Sequence, residues 1–151
     1  MTTVARGSGL DGDRARRVRL RRLRGPLATA AGIGAATVAL HVRDPHQHGS
    51  WGLCPLRALT GWDCPACGGL RAVNDLGDGR FLDAAHSNLL FVASIPLLVV
   101  LWALWLRRRW TGDPPRRLSP RTTRALGLGG TALALAFTVY RNTPWGSGWY
   151  A

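Results

Sequence analysis

The sequence predicts an all-α integral membrane protein with three transmembrane helices and a helical, cysteine-bearing extracytoplasmic loop. Three observations predict it. The 151 residues contain three long apolar runs separated by charged blocks. Those blocks alternate between strongly basic and nearly neutral, within a total charge of +12 made of 20 basic and 8 acidic residues. All three cysteines fall in one stretch between the first and second runs, at positions 54, 64 and 67. A water-soluble enzyme with a large mixed core does not fit so complete a separation of charge from apolar residues.

The basic N-terminus, 1–25, holds eight Arg and two Asp. Nucleic-acid binding is a poor account of it, because no aromatic side chain interleaves for base stacking and an apolar run follows at once. Attraction to anionic lipid of the inner leaflet explains the same charges, at about 1 kcal/mol per Arg. The first span, 26–42, has Thr29, Thr37 and His41 as its polar members. Pro26 suits a first helical turn, where its missing donor costs nothing. The basic start and the Arg21–Arg22 pair are also signal-like, but Val38, Leu40 and Val42 spoil a small-x-small cleavage site, so an uncleaved anchor is expected.

The segment 43–87 has four Arg and five Asp, and is expected outside. The second span, 88–106, is the clearest: from Leu89 to Leu106 only Ser94 and Pro96 interrupt the apolar residues. As a helix this run is roughly 27 Å long, close to the ~30 Å hydrocarbon core, with a kink expected at Pro96. The loop 107–124 carries seven Arg and one Asp and is expected in the cytoplasm. The third span, 125–140, is uncharged and rich in Ala and Gly, and the tail 141–151 follows it outward. This is the positive-inside pattern, with a cytoplasmic N-terminus. Trp102, Trp105 and Trp110 fall at the inner end of the second span, and Trp145, Trp149 and Tyr150 beyond the outer end of the third, where aromatic belts form. Ala28, Gly32 and Ala36, like Gly130 and Ala134, have the spacing of close helix packing. Ionisable residues are almost absent from the spans, which argues against an ion relay.

The cysteines have the spacing C-x9-C-x2-C, and three chemistries compete for them. Cys64 and Cys67 can form a redox pair, favoured as thiolates by a helix starting near Pro65, with Arg71 one turn beyond Cys67 as a further cation. The C-P-x-C-G turn can also bind zinc through Cys54, Cys64 and Cys67, with His46, His48 or His86 as fourth ligand and Asp63 a weaker choice. Finally, Cys54 can cross-link to Cys64 or Cys67 in an oxidising compartment, leaving one thiol over. Around them the loop reads as short helices, Pro55 to Leu59 and Gly69 to Leu76, then a Gly77-Asp78-Gly79 turn in which Asp78 caps a stretch leading into the second span.

Taken together, Cys54-Pro55-Leu56, Leu59-Thr60-Gly61, Cys64-Pro65-Ala66-Cys67-Gly68, Arg71-Ala72, Gly79 and Asn88 resemble the domain-of-unknown-function 2752 family of small bacterial membrane proteins. The resemblance covers roughly residues 51–106. Leu70 stands where the family usually has Thr, and Leu89 where Pro often follows the Asn. It implies a multi-spanning protein of the bacterial cell membrane and carries no activity with it. By position it singles out Cys54, Cys64, Cys67, Arg71 and Asn88. Arg71 is then a counter-ion to a thiolate, to a lipid phosphate or to Asp75 at i+4, and Asn88 caps the second span.

The expected function is a non-enzymatic accessory or interaction protein of the bilayer, working beside a membrane-protein partner, its loop fixed by disulfide or metal. The alternative is a membrane thiol–disulfide oxidoreductase in which Cys64 attacks and Cys67 resolves.

Overall fold

The computed structural model describes residues 7–47, 51, 54–115 and 117–150. These residues form α1 (Gly7–Val42), α2 (Pro55–Thr60), α3 (Gly69–Gly77), α4 (Phe81–Thr111), α5 (Pro120–Arg141) and α6 (Pro144–Ser147), with no strand among them. Two helices are long and apolar enough to cross a membrane, Gly12–Val42 and Phe81–Thr111. The chain divides into two compact units, Met1–Gly34 with Leu97–Arg116, and Ala35–Pro96 with Arg117–Ala151.

In the first unit α1 and the C-terminal part of α4 run antiparallel, joined by tryptophans. Trp102 Nε1 donates to the Pro26 carbonyl at 3.2 Å. The Trp105 ring lies so close to Gly25 that a Cβ there would stand 3.1 Å from it. The Arg19 guanidinium sits 4.9 Å from the centre of the Trp110 ring, a cation–π contact. Pro26 is fully buried at this crossing and lies well inside α1, not in its first turn. The reason is upstream: Arg, Leu and Val of the basic segment continue the helix through the proline, at the cost of one backbone bond.

The second unit has a polar centre. Its fully buried side chains include Asp75 and Asn88, with Asn74 and Arg141 nearly so and, among the described residues, only Leu40, Ala72 and Ala84 as buried apolar companions. Asn74 Nδ2 donates to the Leu40 carbonyl at 3.1 Å, satisfying one of the open carbonyls at the end of α1. Asp75 accepts from Ser87 Oγ at 3.0 Å, pairs with Arg80 at 2.7 Å and meets His46 Nε2 at 3.1 Å. A buried carboxylate is tolerable only when it is partnered in this way. Asp78 sits at the C-cap of α3 and meets His41 at 3.1 Å and Arg80 at 3.2 Å, so the cap expected of it on the following helix is not made.

Within α4 the non-helical backbone is at Asn88 (φ −164°, ψ 94°), and Pro96 lies farther along inside the helix. Asn88 Oδ1 accepts from the Phe91 amide at 2.9 Å. This is an N-cap, as expected, and it restarts the helix at the head of the apolar run. Gly32 and Gly130, expected to pack helices closely, face open space.

Candidate functional site

Helix α2 begins where Pro55 fixes φ, with Cys54 as its N-cap residue in an extended conformation. It ends at Gly61, whose left-handed backbone (φ 75°) lets its amide return to the Arg57 carbonyl. Arg57 then reaches Asp63 at 3.0 Å. Next comes the tight turn Cys64 to Cys67, closed by the Cys67 amide on the Cys64 carbonyl at 3.1 Å. Gly68 follows with φ 78°, and a Cβ there would overlap the Ser87 carbonyl, so only glycine allows α3 to start against α4.

Two buried side chains from elsewhere in the chain hold this turn. Asn88 Nδ2 donates to the carbonyls of Pro65 at 2.9 Å and Cys67 at 3.0 Å. Arg141, the last residue of α5, donates from Nη1 to the same Cys67 carbonyl at 2.6 Å, and from Nη2 to Ser87 at 3.4 Å. Its Nε lies 3.7 Å from the Asp63 carboxylate, and its plane stacks 4.7 Å from the Tyr150 ring centre. Asn142 then pairs with the backbone of Asp63 in both directions, accepting from its amide at 2.9 Å and donating to its carbonyl at 3.0 Å.

The outcome is a cluster of half-buried thiols. The sulfurs of Cys54, Cys64 and Cys67 all lie within 4.8 Å of one another. Cys64 Sγ and Cys67 Sγ are 3.0 Å apart, and the Cys64 amide donates to Cys67 Sγ at 3.3 Å. The three cysteines are free. Their acidities diverge. No side-chain hydrogen bond closes the Cys54 N-cap, yet the amide of Arg57 and the neighbouring thiols favour its thiolate and lower its pKa to about 7. Cys67 is pushed up to about 12, first by burial and then by its hydrogen bonds to Cys64 and Cys54.

The sequence-predicted residues divide cleanly. Cys54, Cys64 and Cys67 come together, and Asn88 holds their turn as well as capping the span. Two of the histidines do not join the sulfurs, His46 being taken by Asp75 and His86 standing edge-on to Trp149 with ring centres 4.5 Å apart, and His48 lies outside the described residues. Asp63 is likewise engaged, by Arg57 and Arg141. Arg71 does not pair with Asp75, whose carboxylate is filled by Arg80, His46 and Ser87. Nor does it draw Cys67 toward the thiolate, because α3 starts at Gly69, not near Pro65, and burial dominates that sulfur.

Arg141 and Asn142 escaped the sequence reading. The signal was there: Arg141 is the sole charge between residues 125 and 151. A lone cation ending an uncharged run has to find partners once buried.

Residues 54–102 match the family described as protein of unknown function, DUF2752. The resemblance read from the motif therefore holds over the segment that carries it. The DUF2752 match opens on Cys54 itself and runs through α2, α3 and most of α4, so it contains all three thiols and Asn88. Arg141 and Asn142, which complete the clamp, lie beyond it. No curated protein and no solved structure matches the chain.

Proposed function

We propose that this chain is a three-span protein of the bacterial cell membrane whose extracytoplasmic loop binds a metal ion through Cys54, Cys64 and Cys67, in an accessory and non-enzymatic role. One observation carries the metal reading: three sulfurs converge within 4.8 Å, on a turn already held by Asn88 and Arg141. A disulfide would use two of them and strand the third beside it. A metal ion uses all three. The third span is α5, whose 22 residues reach about 33 Å as a helix and whose stretch 125–140 is uncharged. The basic blocks on either side of the first two spans argue for a cytoplasmic N-terminus and for contact with anionic lipid.

The test is the metal content of the full-length protein purified in detergent under reducing conditions. About one equivalent is expected, lost in each Cys→Ser variant. Retention of less than a tenth would end the metal reading. A reporter fused near residue 60 is expected to be active outside the cytosol, and activity confined to the cytosol would end the topology.

Thiol–disulfide exchange is the second reading, favoured by the low pKa of Cys54. In it the Cys54 thiolate, not Cys64, attacks a substrate disulfide and expels one sulfur. Cys64 then displaces the second, leaving a Cys54–Cys64 disulfide and a reduced substrate. A Cys64→Ser protein should trap the mixed disulfide on Cys54, and its failure to do so would count against exchange.

A further inference from the structure

We infer that the three-thiol centre selects a monovalent, sulfur-seeking cation, Cu(I), over Zn(II); this rests on the metal reading above and goes beyond it in naming the ion. The argument is one of donor number. Soft thiolates suit both ions, but a closed structural zinc site normally takes four protein donors, and iron–sulfur clusters commonly draw on four cysteines. Cu(I), with its filled d shell, is content with three sulfurs.

Among the described residues, no histidine or carboxylate joins the three sulfurs as a fourth donor. Asp63, adjacent to Cys64, accepts from Arg57 on Oδ1 at 3.0 Å, has Arg141 Nε 3.7 Å from Oδ2, and its backbone is pinned by Asn142. His46 is held by the buried Asp75, and His41 by Asp78 and the Thr37 carbonyl. His86 packs on Trp149. Recruiting His46 would strip a partner from the fully buried Asp75, where unpaired groups are expensive.

The surroundings also suit an anionic complex. Three thiolates around Cu(I) carry two net negative charges, each thiol losing its proton to solvent as its sulfur bonds the ion, with no change in oxidation state. The Arg141 guanidinium is buried against the Cys67 carbonyl, Arg57 lies in the first turn beyond Cys54, and the Cys64 amide already points at Cys67 Sγ. Such donors stabilise negative sulfur.

The experiment uses the full chain in detergent, reduced and free of oxygen. Cu(I) is titrated against bathocuproine disulfonate and Zn(II) against a zinc-indicating dye, with X-ray absorption on the copper form. The expected result is one Cu(I) per chain, held at least about a thousandfold more tightly than zinc, with three sulfurs and no nitrogen or oxygen bound to copper. His86→Ala and His46→Ala should leave copper affinity within about twofold, whereas Cys64→Ser should lower it by at least about a hundredfold. Circular dichroism confirms that each variant keeps its helices. Zinc binding as tightly as copper, a nitrogen on the copper, or a histidine variant that loses copper would overturn the inference and leave the metal reading standing. If neither ion is retained while three free thiols titrate, both fall together.

Discussion

Helix α4 changes character at Asn88, and the regions on either side of that residue invert the usual arrangement of a folded domain. The unit containing residues 54–88 buries Asn74, Asp75, Asn88 and the guanidinium of Arg141. Farther along the same helix, Leu97, Leu98, Val99, Val100 and Leu101 are all more than half exposed. Leaving five such side chains in water would forgo roughly 10 kcal/mol, as much as the whole stability of an ordinary domain. The contrast teaches that the two regions are built by different means: hydrogen bonds close the polar centre, and the exposed run lies in a helix long and apolar enough to cross a membrane.

The strongest challenge to that contrast is Asn88→Leu. If the centre needed only volume, the change would be mild. Removing the cap and two donors to buried carbonyls is instead expected to cost about 4 kcal/mol, read as a loss of thermal stability in detergent. Thiol reactivity in the metal-free protein comes next. The Cys54 pKa is lowered, so its thiolate persists down to about pH 7 and alkylation should rise through that pH and then level off. Cys67, raised to about 12, stays protonated over the same range. After allowing for the lower nucleophilicity of the more acidic thiol, Cys54 should react roughly three-hundredfold faster at pH 7, as measured by mass spectrometry. Equal rates would remove the distinction between them.

Leu98→Asp probes the other side of the contrast. In water an exposed substitution changes stability within about 0.5 kcal/mol, whereas in a bilayer it costs about 3 kcal/mol of insertion. A membrane-insertion assay tells these apart. Arg141→Met should destabilise by about 2–3 kcal/mol by leaving the Cys67 carbonyl short of a donor and Asp63 with Arg57 as its remaining cation, with partial recovery in Arg141→Lys. The smallest effect belongs to Trp102→Phe, which forfeits a single hydrogen bond to Pro26 and about 1 kcal/mol.

Much of the helix inventory was legible in sequence, because apolar runs and Pro or Gly punctuation act locally. Pro55 and Gly61 mark the limits of α2, and Gly68 the start of α3. The convergence of the thiols was legible from their spacing. The extent of α1 was not, since a proline after many good helix formers is carried along instead of starting a helix. The break at Asn88 was hidden for a related reason: its side chain finds partners around residues 65–67 that no local rule names. Arg141 and Asn142 act across 74 and 79 residues of chain, and composition says only that a lone cation must go somewhere. His46 was misjudged because nearness in sequence to the cysteines says nothing of the carboxylate that captures it.

The Cys67 carbonyl accepts from Asn88 at the opening of one long helix and from Arg141 at the close of another. One oxygen atom thus serves as the pivot for two levers. The residue that bears the sulfur is thereby tied at once to positions 88 and 141, so a substitution at either is expected to loosen the same turn.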